Sequence, residues 1–230
     1  MYVGAVQLRV LTWNLMHGRS VPGTGRELLD EFAAALAGWE WDVALLQEVP
    51  PWWPRELAER LNCEQASVLT SRNWMLAPRR FVAVRQPDLI KSNGGGANAI
   101  LARADRIVER RSVRLCRLPE RRMAHGAQLG YGLWIVNLHA TAHNPDRARR
   151  DLALAAHHAR EWARQLPLVL GGDFNLRAPE VDGMARVASS DVDHVLVGPR
   201  LRALEPGRTL DRGTLSDHLP LSVSLELGAG

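Results

Sequence analysis

Short apolar runs that stop abruptly at a carboxylate, an amide or an imidazole recur along this chain, and they constrain its fold more than any other feature. The sharpest is Leu170-Gly-Gly-Asp-Phe-Asn-Leu176. An apolar strand, Pro167 to Leu170, runs into two glycines and then presents Asp173 and Asn175, two residues apart. On an extended backbone, residues i and i+2 point to the same side. Glycine permits a sharp turn and a close backbone approach. An acid and an amide are therefore expected side by side at a strand end, where α/β proteins place their chemistry. The G-D-x-N pattern also occurs in ordinary turns, so alone it leaves both readings open.

The same punctuation appears elsewhere. Val6 to Trp13 reads as a strand with Val6, Leu8 and Val10 on one face, and it runs into Asn14. Asp42 to Val49 is a continuous apolar run closed by Gln47 and Glu48, the pattern of a strand buried on both faces. A carboxylate there is costly unless it is paired or bound to a cation. Mg²⁺ takes one or two carboxylates together with waters and substrate phosphate, so a metal role for Glu48 is preferred to a salt bridge. His139 follows the strand Trp134 to Leu138 and can donate to a phosphoryl oxygen. Asp193-His194 opens the strand Val195 to Val197, and Ser216-Asp217-His218 precedes the last strand, Leu219 to Leu225. A histidine that acts as a base needs a partner to fix its tautomer. Asp193 or Asp217 could orient His218, which leaves the other for metal or substrate. Phosphoryl transfer needs this set: a metal to neutralise charge, a base for water, and donors for the equatorial oxygens.

Helical spacing predicts helices over Arg26 to Leu36, from the proline-rich stretch Pro50 to Pro54 through Leu61, from Pro145 or Asp146 to about Gln165, and a short one near Glu180 to Val187. Val68 to Arg85 reads as strands broken by a loop near Ala77 to Arg80, and Ser92-Asn-Gly-Gly-Gly96 as a turn. Ala97 to Leu101 and Ile107 to Leu115 are expected strands. Arg121 to Leu129 and Leu133 to Leu138 form a hairpin around Gly130-Tyr-Gly132. Strands outnumber helices, which predicts an α/β (α+β) arrangement of two packed sheets with helices outside, in one domain over residues 1–230.

Composition adds bounds rather than an answer. Arginine supplies nearly all the basic charge behind a formal net charge of +4, because Lys91 is the only lysine. Arginine bonds phosphate bidentately, which suits a phosphate-bearing substrate, nucleic acid included. A coding bias toward arginine produces the same composition. Cys63 and Cys116 fit neither a disulfide framework nor a zinc site and are expected as buried or half-buried thiols. No apolar run reaches the roughly 18 residues needed to span a membrane, and Met1 to Val10 lacks the pattern of a signal peptide. A cytoplasmic monomer is the expectation.

Six motifs in order, Thr12-Trp-Asn14, Leu46-Gln-Glu48, Asn137-Leu-His139, Gly172-Asp-Phe-Asn175, Val192-Asp-His-Val-Leu-Val197 and Ser216-Asp-His218, resemble those of the endonuclease/exonuclease/phosphatase superfamily of metal-dependent phosphoesterases. The resemblance implies a four-layered α/β/β/α sandwich with its site at one end of the paired sheets, and Mg²⁺ or Mn²⁺ as cofactor. It implies Asn14 and Glu48 at the metal, Glu48 as principal ligand, and Asp217 helping to hold the ion. Asp173 and Asn175 would position water and phosphate, His139 would bind the scissile phosphate, and Asp193 would orient His218 as base or phosphate ligand. Arg121 or Arg122 is the candidate for a basic residue against the substrate.

One departure stands out: abasic-site enzymes of the superfamily carry an acid two residues after the first Asn, where this chain has Met16. The implied activity is phosphodiester or nucleic-acid hydrolysis. A phosphatase, a lipid-headgroup phosphodiesterase or a non-catalytic relative are the alternatives. Trp52, Trp53 and Trp74 could stack on bases, although stapling a helix is the preferred reading for the first two. Arg79, Arg80 and Arg85 could track a phosphate backbone or form a solvated face.

Overall fold

Alternation along four central strands decides which side chains meet. In the computed structural model, which describes residues 7–71, 73, 75–85, 96–103, 105–118 and 120–228, strand β1 (Gln7–Asn14) pairs in parallel with β2 (Val43–Val49). In a second sheet, β7 (Trp134–His139) pairs in parallel with β8 (Leu168–Asp173). Leu8, Val10, Val43, Leu45, Ile135 and Val169 form one apolar layer between the sheets. The alternate residues of β1 and β2, among them Leu11, Trp13, Ala44 and Leu46, face the other way. They pack on helices α1 (Leu29–Gly38) and α2 (Trp53–Leu61). Trp134, Val136, Leu138, Leu168 and Leu170 turn outward onto α4 (Pro145–Ala163). The result is four layers, helix, sheet, sheet and helix, with the central strands of each sheet buried on both faces.

The remaining strands complete two mixed sheets. They are β3 (Glu64–Thr70), β4 (Gly96–Ala102), β5 (Ile107–Cys116), β6 (Arg122–Leu129), β9 (Ala185–Ser190), β10 (Asp193–Val197), β11 (Leu201–Ala203), β12 (Arg208–Thr209) and β13 (Leu221–Leu227). The first sheet runs β11-β13-β1-β2-β4-β3, with β12 also on β13, and the second runs β5-β6-β7-β8-β10-β9. The register sets Asn14 beside Gln47, His139 beside Asp173, and Asp193 opposite Asp173. Read toward the C-terminal ends of β1, β2, β7 and β8, the inward residues change from Leu, Val and Ile to Thr12, Asn14, Gln47, Asn137, His139 and Asp173. One end of the space between the sheets is therefore apolar and the other polar.

Three expectations are corrected. The stretch read as broken strands ends β3 at Thr70 and then forms helix α3 (Leu76–Arg85). Pro78 stands in its first turn, where an amide N–H has no intrahelical partner to lose. The helix expected near Glu180 to Val187 is a turn, closed by Met184 N donating to the Val181 carbonyl, that leads into edge strand β9. Pairing with β10 outweighs the weak helical pattern there. Helix α1 begins at Leu29, three residues after the expected start. Val6, Trp74, Lys91 and the turn over 92–95 lie outside the described residues.

Candidate active site

The polar end of the inter-sheet layer begins with residues that only tie the sheets together. Gln47 Nε2 donates to Asn137 Oδ1 across the gap at 2.8 Å and to Thr12 Oγ1 at 3.1 Å. Asn137 Nδ2 in turn donates to the carbonyls of Leu46 and Ala99, each at 2.9 Å. All three are fully buried, and these bonds engage both amide nitrogens and the Asn137 and Thr12 oxygens, while Gln47 Oε1 is left without a partner.

Beyond this floor the acids and imidazoles gather. Asn14 Nδ2 donates to Asp173 Oδ2 at 3.0 Å, while its Oδ1 accepts from Met16 N at 2.9 Å. Asp173 and Asn175 are joined through the Asn175 backbone rather than by extended alternation of their side chains. Strand β8 ends at Asp173, Asn175 is left-handed with φ 50°, and its backbone N–H donates to Asp173 Oδ1 at 3.0 Å. A local turn of the kind Asp favours holds the pair. Asn175 Nδ2 is engaged by the Ala140 carbonyl at 3.1 Å. Gly172 is obligatory: a Cβ there, with φ 137°, would lie 1.9 Å from the Leu138 carbonyl oxygen, whereas one on Gly171 would press on the Leu45 side chain of the facing sheet at 2.7 Å.

His139 Nε2 lies 3.5 Å from Asp173 Oδ2 and 3.9 Å from Glu48 Oε1. Of the two candidate arginines, Arg122 stands here, with Nη1 3.0 Å from both ring nitrogens of His139 and Nη2 2.9 Å from Glu120 Oε2. Arg121 offers its carbonyl to Ser71 N on the neighbouring segment. His218 arrives from the loop before β13. Its Nδ1 is 2.7 Å from Asp193 Oδ2 and its Nε2 4.0 Å from Asp173 Oδ2. Asp193, not Asp217, is thus the partner of this imidazole. Asp217 is exposed at the mouth, where its charge reaches both Glu48 and His218. The loop is anchored by Ser216, whose Oγ donates to the Asn14 carbonyl at 2.6 Å and accepts from His218 N at 3.1 Å. Trp13 Nε1 adds a bond to the His218 carbonyl at 3.0 Å.

Two features escaped the sequence reading. Glu48 would face the helices with Ala44 and Leu46 by simple alternation, but it has a φ of 49° where the β2–β4 register breaks between Leu46 and Val49. Such a bulge re-aims a side chain, and here the carboxylate meets the site. His17 is the second. It lies in a tight turn just past β1 with φ 54°, and its Nε2 is 3.2 Å from Glu48 Oε2. Non-glycine residues with positive φ cluster here: Met16, His17, Glu48, Asn175 and Ser216. Strain of this kind concentrates at functional sites. Away from the site, Trp52 and Trp53 both donate to Glu27, and Arg80 pairs with Glu56 beside Trp52. These contacts staple helices rather than present free aromatic faces.

Burial shapes the electrostatics. It pushes Glu48 above the usual carboxylate range, against the pull of Arg122 and His218. It does the same to Asp173, against His218 and the Asn14 bond, and it lifts Asp193 to about 6. His139 is pulled well down by burial and by Arg122, so it is neutral. Burial would also lower His218, but its bond to Asp193 and the charges of Asp193, Asp173 and Asp217 outweigh that and raise it to about 9. Three acids held in so little water favour a counter-charge. Asp193 Oδ1 is buried without a hydrogen-bond partner, and ligand atoms of Asp173, Asp193 and His218 lie within 4.8 Å of one another. Oxygen-rich donors of this kind fit a hard divalent ion. This group differs from the expected trio Asn14, Glu48 and Asp217. The Asn14 carboxamide is bonded at both ends, but its Oδ1 keeps a second lone pair. Glu48 Oε1 and Asp173 Oδ2 approach the same His139 nitrogen, at 3.9 and 3.5 Å, so an ion held by Glu48 lies beside this group.

The two-sheet sandwich, with buried acids, imidazoles and an arginine at one end, has the architecture of a phosphoesterase. Residues 11–218 match the Endonuclease/Exonuclease/phosphatase family, and the chain belongs to it. No curated protein matches its sequence. Among solved structures it is similar to an endonuclease/exonuclease/phosphatase from Beutenbergia cavernae, with TM-score 0.74 and 20% identity over 97% of this chain and 72% of that one. It is also similar to a mannosyl-6-phosphatase from Bacteroides thetaiotaomicron, with TM-score 0.68 and 18% identity over 95% and 99% of the two chains. TDP2 from Caenorhabditis elegans shares the fold, with TM-score 0.67 and 13% identity over 96% and 75%. No helix among the described residues is long and apolar enough to cross a membrane.

Proposed function

We propose that this chain is a divalent-metal-dependent phosphoester hydrolase using Mg²⁺ or Mn²⁺, with Glu48 as principal ligand and Asn14 and Asp217 beside the ion. When bound, the ion supplies charge neutralisation to the phosphoryl group. The chain's own residues do the rest. Arg122 and neutral His139 form one wall, and both can donate to phosphoryl oxygens. Asp173, its carboxylate oriented by Asn14 and the backbone of Asn175, holds the attacking water and accepts its proton. His218 is held by Asp193 with Nε2 facing the cleft. Its raised affinity for protons makes the imidazolium the resting form, which binds phosphate and can protonate the leaving oxygen. The observation that carries the reading is the 2.7 Å Asp193–His218 pair, one residue from each sheet's side of the cleft, turned toward Asp173.

Phosphodiester cleavage in nucleic acid is the first substrate reading, supported by the arginine-rich composition and the family. A phosphatase is the second. It is favoured by a cavity of about 320 Å³ beside Glu48 and Arg122, bounded by Glu120, Thr141 and His143. A carboxylate at that wall repels a second phosphate and accepts from hydroxyls, and one fold neighbour is a mannosyl-6-phosphatase. Incubation with plasmid and with a small phosphomonoester, each with Mg²⁺ or Mn²⁺ and then with chelator, tests both. Chelator-sensitive nicking supports the first reading. Turnover of the monoester alone moves the assignment to the second, and hydrolysis of neither overturns both.

A further inference from the structure

The turn after β1 has an unusual amount of backbone committed to one contact. Met16 and His17 are consecutive non-glycine residues in the left-handed region, with φ 49° and 54°. Such residues are strained and persist only where their surroundings enforce them. The surroundings do so on three sides. Met16 N donates to Asn14 Oδ1, Gly18 N donates to the Leu15 carbonyl at 2.8 Å, and Gly18 is pressed so close to Trp53 that a Cβ would lie 2.3 Å from the indole. On the adjacent strand β2, Glu48 is itself left-handed at a break in register. These distortions converge on His17 Nε2 and Glu48 Oε2, 3.2 Å apart, with the imidazole largely buried.

Two donors each about 2.0–2.2 Å from one ion lie roughly 3 Å apart when their bonds are near right angles. The His17–Glu48 spacing therefore suits a shared cation as well as it suits an ion pair. Its chemistry is mixed, one imidazole and one carboxylate, and imidazole suits transition ions whereas Mg²⁺ selects oxygen. We propose that His17 is a nitrogen ligand, through Nε2, of the divalent ion held by Glu48, and that it biases the site toward Mn²⁺ over Mg²⁺. The inference rests on the reading of Glu48 as metal ligand and adds the donor that the oxygen-only expectation lacked.

Pulsed electron paramagnetic resonance of the Mn²⁺-loaded protein reads the ligand directly. The wild type should show imidazole ¹⁴N modulation, and His17→Asn should lose it; Asn tolerates the left-handed backbone better than most residues. His17→Asp restores an oxygen donor, so it should still bind Mn²⁺ while the Mn²⁺/Mg²⁺ affinity ratio falls about tenfold. Should His17→Asn fail to fold, the spectrum and ratio of His17→Asp decide. Modulation that persists without His17 and disappears in His139→Asn or His218→Asn assigns the nitrogen elsewhere and overturns the proposal. An unchanged ratio in His17→Asp overturns it as well. Chelator-sensitive hydrolysis that survives either result leaves the phosphoesterase reading standing, whereas a protein that binds no Mn²⁺ and hydrolyses nothing removes both.

Discussion

At His218 burial and charge pull in opposite directions, and charge wins, leaving a group that titrates at about 9. If the imidazolium is the working form, kcat/KM should hold from neutrality upward and fall as pH passes about 9. A rise through the same interval would assign His218 as base instead. Replacing it by Ala should lower kcat by about 10²-fold or more in either case, the usual contribution of a positioned acid or base. His125 carries the opposite shift. It is buried in β6 with Nε2 unpartnered, and burial pulls it down to about 3. The unfolded chain takes up this proton near 6.5 and the folded chain does not. Stability should therefore decline as pH drops from about 6.5 toward 3, by up to roughly 1.4 kcal/mol per pH unit. Urea midpoints across that range should fall less steeply in His125→Phe. At this scale Asp173 and His139 were legible because each ends an apolar run, and Asp193 because it opens one. His17 and the re-aimed Glu48 were not, because a left-handed φ at a non-glycine residue leaves no mark on composition or period.

Strand β8 owes its place to Gly172, where the backbone passes the Leu138 carbonyl with no room for a methyl group. Gly172→Ala should destabilise by about 3 kcal/mol or more, because a left-handed φ and a backbone clash act together. It should also disturb the register that sets His139 beside Asp173, so residual folded protein should lose activity. A smaller effect belongs to α4, whose N-terminus is capped by Asn144 accepting from Arg147 N at 3.0 Å. Asn144→Ala should lower stability by about 1 kcal/mol in thermal unfolding, with hydrolysis unchanged. Long periodic elements such as α4, and apolar strands such as β2, could be read from the chain. Helix α3 and strand β9 could not. Their own patterns are weak, and β9 takes its form from pairing with β10.

At the scale of the whole molecule, the site is a seam. Asn14, Glu48 and His218 come from the first sheet and its loops, and His139, Asp173 and Asp193 from the second. An ion held there binds only the folded state. At a hundredfold excess over its Kd it should add about 2.7 kcal/mol, which for a chain of this length is a rise in Tm on the order of 5–10 °C. Mn²⁺ or Mg²⁺ should produce that rise, chelator should reverse it, and Glu48→Gln should reduce it. A Tm indifferent to every divalent ion would remove the metal from the account.

The sequence by itself determined the two sheets, the outer helices and the polar residues at strand ends, because burial on both faces of a strand leaves a continuous apolar run and its end leaves an abrupt change. Only the tertiary structure decided which partner His218 takes, which of two arginines meets His139, and that His17 and Glu48 face each other. Those choices depend on register, on a bulge and on a left-handed turn. Their energies come from contacts between segments far apart in the chain, so no local pattern of residues records them.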